Sequence, residues 1–136
     1  MFKGLDMLIF GHRFIPSDNF YHIQSIGAVL NSPPSSTIYL DFDEKNLDII
    51  NHLKDNKIPF ALNVKNITEI IYASSFEATF IIIENNLVKI ATDIANNYLF
   101  DAKILVHIKD EREIENMAII GVDGVIFNNA IIKINS

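Results

Sequence analysis

Short apolar runs alternate with polar stretches along the chain. The runs are Met7–Phe10, Ile38–Phe42, Phe60–Val64, Phe80–Ile83, Ile104–Ile108 and Gly124–Phe127. Each is brief, rich in Ile and Val and bounded by polar residues, as strands buried on both faces of a parallel sheet are. Between the later runs the period changes. Within Asp43–Lys57, Leu47, Ile50 and Leu53 fall at i, i+3 and i+6, and further on Leu87, Ile90, Ala91 and Ile94 fall at i, i+3, i+4 and i+7. Both spacings draw an apolar stripe down one side of a helix. Asn66 with Glu69, and Asp110 with Glu113, each set a capping acceptor three residues ahead of a Glu, while Asp43 and Asn86 stand where caps for the other two helices belong.

The pattern repeats. Segment 58–86 superposes on 102–130 at an offset of 44 without a gap, bringing Lys65 onto Lys109, Asn66 onto Asp110, Glu69 onto Glu113 and Ile82 onto Ile126. Half that offset, 22, links Asp41, Asn63, Asn85, His107 and Asn129. A strand, a helix and two short loops fit in 22 residues, so the chain reads as consecutive βα units with right-handed crossovers. Eight such units would need 176 residues against the 136 present. The expectation is therefore one α/β domain over residues 1–136 with about six mainly parallel strands, either an incomplete TIM-like barrel or an open three-layer sheet.

The two ends depart from the repeat. Asp18–Leu30 reads as one irregular helix, followed by the turn-rich Ser32-Pro33-Pro34-Ser35-Ser36, a plain connector or, alternatively, a lid. At the other end, Val125–Phe127, Asn128-Asn129 and Ile131–Ile134 read as a β-hairpin, because Asn tolerates the positive φ of tight turns. Gly121 suits a helix end, and Gly124 suits close packing ahead of the last repeat strand.

Composition narrows the chemistry. Lys+Arg 11 against Asp+Glu 17 leaves a net charge of −6, which argues against a phosphate-neutralising nucleic-acid surface. With no cysteine, disulfides, zinc-thiolate sites and thiol nucleophiles are excluded. The four apolar residues Met7–Phe10 are too few for a signal-peptide core, and no apolar run reaches the ~18 residues of a membrane span, so the expectation is a cytoplasmic chain without one. There is no Gly-x-Gly-x-x-Gly, Walker loop, His-Glu-x-x-His or Gly-x-Ser-x-Gly.

In parallel α/β sheets, sites lie at the carboxyl ends of the strands. Those ends carry His12 and Arg13, Asp41 and Asp43, Asn63 and Lys65, Glu84 and Asn85, His107 and Lys109, and Asn128. Alternation along the strands, with units paired in sequence order, gathers Asp41, Asn63 and His107 on one edge with His12 nearby. Each candidate also has a plain structural role. His12 and Arg13 would close the first strand on Asp41 or Asp43, Asp43 would cap a helix, and His107 would be a hydrogen-bonded core histidine. His22 and His52 fall in predicted helices with no supporting constellation.

Gly11-His12-Arg13 closing a first strand, followed by Pro16 and Asp18-Asn19, resembles the His-Arg-Gly…Pro-Glu-Asn opening of glycerophosphodiester phosphodiesterases, phospholipase-C-like barrels that use a divalent metal. Tyr39-Leu40-Asp41 falls where that family carries Glu-x-Asp, and Gly121-Val122-Asp123-Gly124-Val125-Ile126 resembles its Gly-Val-Asp-Gly-Ile-Ile ending. The likeness spans residues 7–20, 37–43 and 102–128. Phe14 replaces the family's Gly, Tyr39 replaces a metal carboxylate, and no second His-Asp motif follows. The resemblance thus implies a truncated, degenerate phosphodiesterase-like domain, impaired in catalysis. His12, Asp41 and His107 would be its catalytic remnants. Arg13, Asn63, Lys65 and Lys109 would bind a small phosphate-containing ligand, with Asp41 a weak ligand for Mg²⁺ or Ca²⁺. The competing expectation is a non-enzymatic interaction module, since an unclosed sheet leaves edges to be covered by the C-terminal hairpin or by a second copy in a homodimer.

Overall fold

The computed structural model describes residues 7–98 and 100–134. Six of its strands fall on the six apolar runs: β1 (Leu8–Phe10), β3 (Thr37–Asp41), β4 (Phe60–Asn63), β5 (Phe80–Ile83), β6 (Lys103–His107) and β7 (Gly124–Ile126). Two more, β2 (Phe20–His22) and β8 (Ile131–Lys133), bring the sheet to eight strands in the order β1-β7-β6-β5-β4-β3-β2-β8, every pairing parallel. Helices α1 (Ile26–Leu30), α2 (Leu47–Asp55), α3 (Ile67–Ser75), α4 (Val88–Tyr98) and α5 (Glu113–Ile120) fill the crossovers from β2 to β7. Eight strands fit in 136 residues because no helix separates β1 from β2 or β7 from β8.

Of the expected start signals, the one for α3 holds in full. Asn66 Oδ1 accepts from the Glu69 N–H at 2.9 Å while Glu69 reaches back to the Lys65 N–H, also at 2.9 Å. Asp43 caps a 3₁₀ turn over Glu44–Asn46 that leads into α2. Asn86 lies inside a second 3₁₀ turn, Asn85–Leu87, rather than capping α4. Ile49, Ile50 and Leu53 of α2 and Val88 and Ala91 of α4 are buried. Gly121 terminates α5 at φ 91°, and a Cβ on Gly124 would lie 2.6 Å from the Leu8 carbonyl oxygen.

Two expectations fail at the ends. Asp18–Leu30 is not one helix: Phe20-Tyr21-His22 favours a strand by its aromatic content, Phe20 inserts its ring into the sheet's concave side, and Ser25 then caps the short α1. Nor is there a C-terminal hairpin. Both edges of β7 are taken, by β6 and by β1, so β8 cannot fold back on it. The Phe127 N–H bonds to the Phe10 carbonyl, Asn128–Ala130 forms a 3₁₀ turn, and the chain runs on in the same direction to pair with β2.

The sheet curls into an incomplete barrel with two hydrophobic cores. Outside it, Ile38, Leu40, Leu62, Ile81, Ile83, Ile104 and Val106 meet the buried faces of the helices. Inside lie Phe20, Tyr39, Ala61, Ile82, Leu105, Ile126 and Ala130, with Leu8, Phe10 and Phe80 packed against them. In a flat sheet β1 and β2 would be six strand spacings apart, roughly 29 Å; the Phe10 and Phe20 rings are in fact 4.9 Å apart, and both pack against Phe80 at an angle.

The register shows how far the curl goes. The level of Lys133 passes through His22, Tyr39, Ala61 and Phe80 to Lys103, two residues below the level shared by Leu105, Gly124 and Leu8. Ala130 is therefore five residues below Leu8, while Gly11, which abuts Ala130, is three above it. The stagger across the seam is eight residues, the shear of a (β/α)₈ barrel. β1 and β8 meet without pairing, so the two edges of the sheet turn toward each other at an unlaced seam.

Candidate functional site

Because side chains alternate along a strand, the residue two positions beyond each inward-facing one points to the same side. Tyr39, Ala61, Ile82, Leu105, Ile126 and Phe20 face inward, which puts Asp41, Asn63, Glu84, His107, Asn128 and His22 around the carboxyl mouth. Every one is polar. The expected grouping of Asp41, Asn63 and His107 holds in its placement. Asn63 Nδ2 donates to Asp41 Oδ1 at 3.0 Å, and His107 joins Glu84 and Asn128.

His107 has no free ring nitrogen. Its Nδ1 is 3.1 Å from Glu84 Oε2 and its Nε2 is hydrogen-bonded to the Asn128 amide. Its side chain is 18% exposed. Below it, burial pushes the Tyr39 phenol far above its ordinary value, and the charges of Asp41 and Glu84 push in the same direction. Burial lowers the His22 pKa, outweighing the opposite pull of Asp41, and Lys133 adds to the lowering, so His22 is neutral at pH 7.

His12 and Arg13 do not close on Asp41 or Asp43. Gly11 takes φ 89°, a conformation L side chains rarely adopt, and a Cβ there would meet Asn129 Oδ1 at 2.9 Å. The chain then turns, and both residues meet Glu111 in the loop before α5. His12 Nε2 lies 2.8 Å and Arg13 Nη1 3.0 Å from the same oxygen, Glu111 Oε2. His12 Nδ1 accepts the Phe14 N–H at 3.1 Å, so in the neutral ring Nε2 carries the proton and donates outward. Phe14 supports both residues: the Arg13 guanidinium lies 4.4 Å above its ring, and the His12 ring packs edge-on at 5.0 Å. The His12 hydrogen bond and the Arg13 charge hold the Glu111 carboxyl below its ordinary value.

A cleft of about 390 Å³ opens there, lined by His12, Arg13, Lys109, Asp110, Glu111 and Phe127 among others. Lys109 lines the same cleft as His12 and Arg13. Lys65, its counterpart in the repeat, is exposed beyond β4 and does not line this cleft. A second cleft of about 350 Å³ is lined by His22, Gln24, Asp41, Lys45 and Asn46. No group of three or more His, Cys, Asp or Glu side chains assembles as a metal-ligand set among the described residues. His52 sits on α2 as expected, bonded to Asn56.

Sequence reasoning named Glu84 and Asn128 among the strand-end residues, although the offset of 22 selects their neighbours Asn85 and Asn129. It missed His22, which it places in a helix and the structure places on β2. Glu111 carried no local signal, since its partners are 98 and 99 residues away. No helix among the described residues is long and apolar enough to cross a membrane. No family model matches this chain, and no curated protein matches its sequence.

Proposed function

We propose that this chain is a phosphodiesterase-like domain that binds a small phosphate-containing ligand in the cleft of His12, Arg13 and Lys109 and turns it over poorly or not at all. One observation carries the reading: the ring N–H of His12 and the guanidinium of Arg13 converge on a single anionic oxygen. That is the arrangement a phosphate oxygen requires. Lys109 adds a second cationic group, beside Arg13, from the adjoining loop. The cleft lies among the loops leaving β1, β6 and β7, and phosphates in (β/α)₈ barrels bind near the last strands at this same end.

The chemistry of the donors argues for binding over turnover. With Nδ1 occupied by the Phe14 N–H, His12 presents a proton and not a lone pair. Asp41 shares its carboxylate with Asn63, and the buried Tyr39 stands where the resembled family places a metal carboxylate. One carboxylate is a poor site for Mg²⁺ or Ca²⁺, which take six or more oxygens.

Calorimetric titration with inorganic phosphate and with glycerol phosphate tests the reading. Saturable binding weakened about tenfold or more by Arg13→Ala is the expected result, as removal of a charge-assisted contact predicts. Heat changes that do not saturate, or an unchanged affinity in the variant, would overturn it. Glycerophosphocholine hydrolysis with Mg²⁺ or Ca²⁺ should be absent. Turnover that disappears in both His12→Ala and Asp41→Asn would instead establish an enzyme.

A further inference from the structure

We propose that Glu111 is a built-in competitor for the anion site: its carboxylate occupies the place of the ligand's phosphate oxygen between His12 and Arg13, and a ligand binds by displacing that side chain. This rests on the phosphate-binding reading above and adds its regulation.

Three observations support a latch made of one side chain. Glu111 uses a single oxygen, Oε2, for both contacts, which is how a monodentate phosphate oxygen would sit. The backbone around it is fixed independently of that carboxylate. Asp110 Oδ1 accepts the Arg112 N–H, the Glu113 carboxylate accepts the Asp110 N–H, and the Glu113 N–H bonds to the Asp110 carbonyl. The Glu111 side chain is 45% exposed, so it can rotate into solvent without moving α5 or the strands.

The partners, in contrast, are held in place. The His12 side chain is only 10% exposed, its Nδ1 is engaged by the Phe14 N–H, and the Phe14 ring supports Arg13. When Glu111 leaves, the two donors remain aimed at one point. Ligand affinity is then reduced by the fraction of molecules in which the latch is closed.

The experiment titrates inorganic phosphate into the full chain, following the His12 ring nitrogens by NMR. It compares wild type with Glu111→Gln, Asp110→Asn and the double variant Arg13→Ala/Glu111→Gln. Asp110 lines the same cleft but pairs with Arg112 and contacts neither His12 nor Arg13, and Asn in its place removes an equal charge while keeping the oxygen that accepts the Arg112 N–H. Glu111→Gln should bind phosphate about fivefold more tightly than wild type, the order expected for releasing two exposed charged contacts. Asp110→Asn should stay within about twofold of wild type on the same scale, and the gain should vanish in the double variant. The His12 ring signals should also shift in Glu111→Gln before any phosphate is added. Equal affinity of Glu111→Gln and wild type overturns the latch and leaves the phosphate reading standing. A gain in Asp110→Asn as large as in Glu111→Gln reduces the effect to general charge and also overturns it. Absence of saturable binding in both wild type and Glu111→Gln overturns the latch together with the phosphate reading.

Discussion

The arc from β3 to β6 and the seam formed by β1, β7, β8 and β2 are built differently. Strands of the arc have four or five residues and each is followed by a helix of at least eight residues. Every strand of the seam has three residues, and two of its connections contain no α-helix. Leu40, Leu62, Ile81 and Val106 of the arc are completely buried, whereas β8 carries Ile132 at 38% exposure. The anion cleft lies where the two meet, lined by His12 and Arg13 after β1, Lys109 and Glu111 after β6, and Phe127 after β7. Loops from both regions therefore carry its charged groups, held by the strands they leave, as is common for sites on barrel ends.

The sharpest test of that contrast is a pair of core truncations. Leu62→Ala removes a fully buried side chain between the sheet and its helices, and should cost roughly 2–5 kcal/mol in denaturant unfolding. Ile132→Ala, on the seam, should cost less than about 1 kcal/mol because much of its surface is already in water. Native-state hydrogen exchange should agree, with β4 and β5 amides protected more strongly than those of β1 and β8. Comparable losses in the two variants would show that the seam is as integral to the core as the arc.

A smaller effect lies where the two regions join, at His22 on β2. Its folded pKa is below the ordinary value of 6.5, with burial the main cause, so the unfolded chain binds the proton more readily. Stability is therefore unaffected by this group above pH 6.5 and falls as the pH drops below that value toward the folded pKa. His22→Gln should flatten the decline in melting temperature between pH 7 and 5 relative to wild type. Parallel declines in the two proteins would remove His22 as its source.

The smallest effect is expected at Asp41. The structure pairs it with Asn63 rather than with a cation, so Asp41→Asn strands no charge, and the new amide oxygen can still accept from Asn63. A stability change within about 0.5 kcal/mol is predicted from thermal melts. A loss above about 1 kcal/mol would show that the carboxylate has a charged partner at the mouth.

The strands and helices of the arc were legible in the sequence because each unit is local. Ile81-Ile82-Ile83 is too apolar to lie anywhere but between two layers, and Asn66 with Glu69 starts α3 through contacts only three and four residues long. The mouth was partly legible for the same reason: alternation along a strand places Asp41 beside Asn63 once β3 and β4 are known to pair. The seam was not. Phe20–His22 is too short to announce a strand, and what makes it one is pairing with β3 and with β8, 111 residues away in register.

By itself, then, the amino-acid sequence determined a chain of βα units, the positions of six strands, and the polar residues at their carboxyl ends, all through contacts within one unit. Tertiary structure alone decided the curl that brings Phe10 onto Phe20, the parallel course of β8, and the meeting of His12 and Arg13 with Glu111. Those outcomes depend on which edges of β7 are already occupied and on how far the stagger carries Gly11 around to Ala130. Both are properties of the whole sheet and are not carried by any single segment.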